Sequence, residues 1–320
     1  MASLSSIRLP PRPAVSLLSA SLPLLVLSET NSSHTGHFFF KTVSSLAFLG
    51  GPLLHVLGVR ASPSAYAVRM TAGFVCSLIG DVLLVPARRD YYDTTVEPAA
   101  SPPAQYYTAK TKKNEADWRN QSAGHDVNSS NNSSGGDTTS THKITTSFQL
   151  GVVAFAAAHV AYILAFLSDA RSISWRRSAA ILVGTTLLSK VLGVIYPSKA
   201  NQNARSWAKM GSNLLNLDIP TNMKPLVTAY ALIIGSMMAV AASVTPSAGS
   251  EALRRQRLLG AAMFVASDVF VAKDAFGKKT AEEPRRRGPG DKTKRRHWLF
   301  LTVGWGLYFG GQMVLAGTVG

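Results

Sequence analysis

Asp81 and Asp268 are the residues whose type and surroundings equip this chain for chemistry. Each interrupts an apolar stretch, GFVCSLIGDVLLV around Asp81 and LLGAAMFVASDVFVAKDAF around Asp268. A carboxylate near the bilayer centre costs roughly 2.5–3.5 kcal/mol on insertion scales, so a chain that keeps one turns it towards a polar interior. Two such acids, each behind a small residue (Gly80 and Ser267), point to a shared site. Burial and proximity let a pair of carboxyls hold one proton between them. One member can then donate a proton while the other stabilises a cation or orients water, with no need of a metal. The competing reading is structural: acids of this kind also serve as hydrogen-bonding glue between helices.

The elements that must position these acids are long apolar blocks. At 320 residues the chain has room for two soluble domains, but its apolar residues are gathered into stretches of about 18–25, the length that crosses a hydrocarbon core. Eight spans are read, at 14–28, 37–58, 65–86, 144–168, 178–196, 225–244, 256–276 and 297–318. None alternates strictly, so the expected fold is an all-α polytopic helical bundle forming a single transmembrane domain over 1–320. The first span is short and contains Pro23, and the apolar core of a cleaved signal peptide is the other reading of it.

Two polar interruptions stand out. Residues 87–143 are rich in Ser, Asn, Thr and Gly and poor in aliphatics, so this loop between the third and fourth spans is expected to be disordered. Residues 277–296 form a basic loop, and 197–223 a further polar one. The loops after the first, third, fifth and seventh spans carry 20 Lys and Arg against 9 on the opposite side, Arg257 at the edge of the seventh span included. The positive-inside rule therefore places both termini outside or lumenal and the long insert in the cytosol. The net charge of +16 is explained by these loops and their contact with anionic headgroups, and with no stacking motif beside it nucleic acid is not an expected partner. The one cysteine, Cys76, excludes an intrachain disulfide and a cysteine metal cluster.

With this orientation Asp81 and Asp268 lie at similar depths near the cytosolic ends of the third and seventh helices, which are expected to be neighbours. Other polar groups fall at compatible levels. Lys41 lies near the start of the second span and Tyr230 in the sixth. His159 and Tyr162 share a face of the fourth, Tyr308 and Gln312 a face of the eighth, and Ser77 lies one turn before Asp81. Singly, each has a bland reading as interfacial anchor, interhelical hydrogen-bonder or snorkelling lysine; their convergence on one level carries more weight. Asp274, six residues beyond Asp268 and on another face, is expected near water, with Lys273 beside it able to reach a phosphate.

Taken in order, several stretches resemble the integral-membrane lysoplasmalogenases, the YhhN-like proteins. GFVCSLIGDVLLV resembles that family's Gly-Asp span, and FQLGVVAFAAAHVAYILAF its Ala-His span with a Tyr three residues on. PLVTAYALIIGSMM is similar to its Pro-then-Tyr span, GAAMFVASDVFVAKDAF to its Ser-Asp span and LYFGGQMVL to its last span; Lys41 stands where the family tends to carry a lysine. The insert after the third span and the basic loop before the eighth depart from the pattern. The resemblance implies hydrolysis of the vinyl-ether bond of a lysoplasmalogen to a fatty aldehyde and a glycerophospho-base.

That chemistry suits the residues. An enol ether hydrolyses through slow protonation of its β-carbon and capture of the oxocarbenium ion by water, which calls for a protonated acid and a nearby carboxylate. Asp81 and Asp268 are the expected pair, in an order the sequence leaves open. His159, Tyr162, Tyr230, Tyr308 and Gln312 would orient water or substrate oxygens, and Lys41 would meet the phosphate. No cofactor and no metal is expected: of the seven histidines only His55 and His159 lie within spans and not at a span's first residue, too few for a three-His zinc site, and there is no Gly-X-Ser-X-Gly elbow. Lysophospholipid and membrane lipids are the expected partners, and in a eukaryotic cell an endomembrane such as the endoplasmic reticulum the expected location. A proton-coupled transporter or a lipid-binding membrane protein using the same acids is the alternative, the former predicting inverted repeats, of which no convincing trace is seen.

Overall fold

The computed structural model describes residues 7–31, 33–58, 62–96, 146–196, 213–277 and 292–319. Among the described residues eight helices follow one another: α1 (Arg12–Thr30), α2 (His34–Gly58), α3 (Ala65–Val96), α4 (Thr146–Ser168), α5 (Trp175–Leu192), α6 (Lys224–Ser243), α7 (Glu251–Phe276) and α8 (Lys292–Ala316). Six of them contain a stretch long and apolar enough to cross a membrane; the exceptions are α5 and α7. Charges dilute those two, Arg176, Arg177 and Lys190 in α5, and Arg254, Arg255, Arg257, Asp268, Lys273 and Asp274 in α7. The chain is a membrane protein of the all-α polytopic kind.

Local signals set the ends. Ser250 caps α7, its Oγ accepting from the Leu253 amide at 3.3 Å, with Glu251 in the first turn. The α5 helix stops at Gly193, whose φ of 85° is left-handed and whose missing side chain leaves room for Asn213. A sequence limit at 86 proves too short for α3, which continues to Val96. Nothing between Ala87 and Val96 breaks a helix, and Pro98 follows. The expectation of disorder for the insert otherwise falls on 97–143, outside the described residues, as do most of the basic loop and 197–212.

The helices pair as hairpins, α1 with α2, α5 with α6 and α7 with α8, while α6 also packs on α4 and α7, and α8 on α1 and α2. Glycine permits the closest approaches. Gly80 of α3 lies under the Phe155 ring of α4, and Gly311 of α8 faces the Gly260 carbonyl of α7. Phe48, Phe74, Tyr162, Phe166, Phe264 and Phe309 fill the interior. Large apolar side chains such as Leu54, Leu57, Val153, Val183, Leu187 and Val303 are exposed, the pattern of a surface that lipid covers.

Sequence periodicity did not reveal a two-stranded ribbon. Strand β1 (Ala170–Ile173), between α4 and α5, pairs antiparallel with β2 (Val244–Pro246), between α6 and α7. Strands this short hold too few residues for a period to register. The polar loop before α6 is also partly ordered: Asn213 bonds both the amide and the carbonyl of Leu217, Leu217, Ile219 and Met223 are buried, and the Asp218 amide donates to the Phe276 carbonyl at 2.7 Å.

Candidate functional site

Asp81 is 1% exposed; its Oδ2 accepts two hydrogen bonds, and its Oδ1, which has no hydrogen-bond partner, faces an ammonium. The Ser45 hydroxyl of α2 donates to Oδ2 at 2.7 Å and the Tyr308 hydroxyl of α8 donates to the same oxygen at 2.8 Å. The Lys41 ammonium stands 3.2 Å from Oδ1. Behind Tyr308 the polar chain continues. Gln312 Nε2 lies 3.5 Å from the Tyr308 hydroxyl, the Tyr162 hydroxyl donates to Gln312 Oε1 at 2.9 Å, and Ser77 lies 3.3 Å from the Tyr162 hydroxyl. Three helices thus meet on one acid and α4 joins through Tyr162, with Lys41 and Ser45, Ser77 and Asp81, and Tyr308 and Gln312 sharing faces by i,i+4 spacing.

A different setting surrounds Asp268. It is half-buried, with the Tyr230 hydroxyl of α6 as its polar neighbour. That hydroxyl is 3.1 Å from Nε2 of His159 on α4. Two buried atoms of this cluster, Asp268 Oδ2 and His159 Nδ1, have no hydrogen-bond partner. Unpaired polar atoms in such a place are where a water molecule or a ligand atom gains most.

Each acid has its own set of neighbours, Asp81 on α2 and α8 and Asp268 on α6, and the two sets abut. The Phe264 ring of α7 packs edge-on against His159 and Tyr308, with centroids at 5.3 and 5.8 Å, and touches Tyr162 at 6.1 Å. One expectation is corrected, that for Lys41. Instead of meeting a phosphate at the interface, it is 3% exposed and turned inward, over the Trp305 ring at 5.0 Å. An unpaired carboxylate at that depth is expensive, and the ammonium offsets it. Asp274 is exposed, as its position off the Asp268 face predicted, and Lys273 beside it is exposed too.

Several buried polar residues escaped the sequence reading. Glu29 at the end of α1 is 6% exposed and accepts from the Trp305 indole N–H at 2.6 Å. His37 at the start of α2 is also buried, its Nδ1 3.9 Å from Glu29. A signal for Trp305 existed, since it precedes Tyr308 by three residues on one face. Arg257 of α7 is buried between the rings of Tyr66 and Phe166, at 4.3 and 5.6 Å, and pairs with Asp169 at 2.5 Å. Asp169 follows α4 directly and also accepts from the Ser247 hydroxyl. Partial burial pushes its carboxyl up, but the hydrogen bonds from Ser247 and Arg257 and the charge of Arg257 outweigh it and hold Asp169 below the ordinary carboxylate value. Among the described residues, no group of three or more His, Cys, Asp or Glu is placed to hold a metal ion.

Comparison with known proteins adds one finding. The family model described as the YhhN family matches residues 132–319, more than half of the chain. The match takes in α4 to α8, and with them His159, Tyr162, Tyr230, Asp268, Tyr308 and Gln312; Lys41 and Asp81 lie N-terminal to it. Neither the comparison with curated proteins nor that with solved structures gives a match.

Proposed function

The chain belongs to the YhhN family, and from that premise we propose that it is a lysoplasmalogenase-like hydrolase, cleaving the vinyl ether of a lysoplasmalogen by acid–base catalysis. The observation that carries this reading is the unlike setting of two acids in one polar core. Asp81 faces a lysine and receives two hydroxyl donors. Asp268 has a tyrosine as its neighbour and an oxygen, Oδ2, with no hydrogen-bond partner. A carboxyl with no cation beside it can carry a proton to substrate, whereas one clamped by an ammonium serves as a fixed anion.

In this mechanism the alkenyl chain lies along the Phe264 ring. Asp268 delivers its proton to the β-carbon of the enol ether, and the double-bond electrons form the new C–H bond. The resulting oxocarbenium ion adds one water at the α-carbon. The water's spare proton returns to Asp268, and the hemiacetal then collapses to a fatty aldehyde and the glycerol hydroxyl of the glycerophospho-base. His159 and Tyr230 orient that water beside Asp268. Asp81 with Tyr308, Gln312 and Tyr162 forms the negative wall of the site and steadies the cation. Lys273, five residues or about 7.5 Å along α7 from Asp268 and exposed, meets the phosphate at the interface.

The test is incubation of purified protein with a lysoplasmalogen in ¹⁸O-water. Aldehyde and glycerophospho-base should form in equal amounts, the aldehyde analysed before its oxygen exchanges and carrying the solvent label. Absence of aldehyde from both ethanolamine and choline substrates would refute the proposal.

A further inference from the structure

A third acid lies next to the Lys41–Asp81 pair. Glu29 is buried at the end of α1, where the chain turns towards α2, and a carboxylate in such a place costs free energy unless specific partners hold it. One partner is the indole N–H of Trp305 on α8, which donates to Oε2 at 2.6 Å. That bond fixes the plane of the indole, and the same ring presents its face to the Lys41 ammonium at 5.0 Å. The ammonium in turn stands 3.2 Å from Asp81. Contacts with His37 at 6.0 Å, Tyr308 at 6.2 Å and Phe309 at 5.9 Å hem the ring in from other sides. Glu29, Trp305, Lys41 and Asp81 therefore form one line of contacts through α1, α8, α2 and α3.

We propose that Glu29 is a positioning residue that, through the indole of Trp305, holds the Lys41 ammonium on Asp81. A lysine has a long flexible stem and three equivalent donors, so one carboxylate does not fix where its charge sits. A π-face beneath it narrows that freedom, and a π-face is only as well placed as the hydrogen bond that sets its plane. Glu29 supplies the anchor. Its consequence for turnover rests on the hydrolase reading above; its consequence for Lys41 and Asp81 does not.

The experiment uses the full-length protein in lipid vesicles and a hydrophobic carbodiimide, which adds across a protonated carboxyl to leave a stable N-acylurea. Mass spectrometry then reads the label on the peptide that carries Asp81. In the wild type the ammonium guards Asp81, and labelling is low. Glu29→Gln and Trp305→Phe should each raise it roughly tenfold, the order expected when one hydrogen bond to a charged group is lost. The double variant should add little to either, because both act through one link. Glu29→Asp should recover part of the protection. If vinyl-ether cleavage is measured alongside, kcat should fall while KM stays near its wild-type value. Wild-type labelling of Asp81 in both single variants would overturn the proposal. So would a rise in Glu29→Gln with none in Trp305→Phe, because the indole would then not be the link.

Discussion

Asp81 and Asp268 occupy one polar core, but one is closed and the other open. Around Asp81 the fold has supplied a cation, two hydroxyl donors and a chain of further hydrogen bonds behind them. Around Asp268 it has supplied a tyrosine and left Asp268 Oδ2 and His159 Nδ1 without partners. A carboxylate with an ammonium beside it ties together the helices that meet on it, whereas one with no cation beside it keeps a place for something else. Under the proposed mechanism the contrast gives unlike tasks to two residues of the same chemical type.

The strongest way to break this contrast is to remove each acid. Asp268→Asn keeps the size of the side chain but cannot transfer a proton, and vinyl-ether cleavage should fall roughly 10²–10⁴-fold with the protein still folded. The loss should lie in kcat, measured as aldehyde formed per unit time. Wild-type turnover in that variant would show that the open acid is not the proton donor.

A second test concerns stability. Lys41→Met leaves Asp81 buried with its cation gone, which costs about 3–5 kcal/mol for a broken buried pair. The unfolding midpoint in detergent should drop accordingly. Adding Asp81→Asn should restore much of the loss, since removing both charges is far cheaper than removing one. A double variant as unstable as the sum of the singles would mean that the pair is not coupled.

A third prediction sharpens the comparison by moving away from the core. Asp169 joins the end of α4 to Arg257 of α7 and to Ser247 beyond the ribbon. Asp169→Asn should cost about 1.5–3 kcal/mol, the value of a hydrogen bond to a charged group, and leave cleavage intact. Asp169 is held below its ordinary value, so its contribution is present above the unfolded carboxyl value of about 3.9 and is lost as pH falls through the folded value. The wild type and the variant should therefore differ in unfolding midpoint at neutral pH and converge in strong acid. A gap that persists there would assign the effect to packing. The smallest effect expected is that of the insert. Deleting residues 100–140 should leave membrane insertion and turnover little changed, because that composition cannot add to a core. Loss of either would show a folded cap.

Much of the site was legible in the sequence, for reasons particular to membranes. An acid in an apolar span is costly enough to be conspicuous, so Asp81 and Asp268 announced themselves, and helical spacing placed His159 with Tyr162 and Tyr308 with Gln312. The helices could be read because hydropathy and length together define a span. What the sequence withheld is azimuth. Nothing in the spacing of Lys41 says whether its stem runs to the headgroups or inward to Asp81, and nothing in the depth of the two acids says which side chains each one meets. Glu29 and His37 were hidden for another reason. They lie at the ends of spans, where a charged residue needs no explanation until its neighbours are seen. The ribbon and the Arg257–Asp169 pair depend on loops too short to carry a period.

The central claim is that the open acid carries the proton and the closed one is a fixed anion, and a single comparison of aldehyde release tests it most directly. Wild type, Asp268→Asn and the charge-free double variant Lys41→Met with Asp81→Asn are purified, shown to be folded and given the same lysoplasmalogen. The double variant should be slowed yet still release aldehyde, because the proton donor is intact, while Asp268→Asn should release almost none. Aldehyde from Asp268→Asn at or above the rate of the double variant would contradict the assignment.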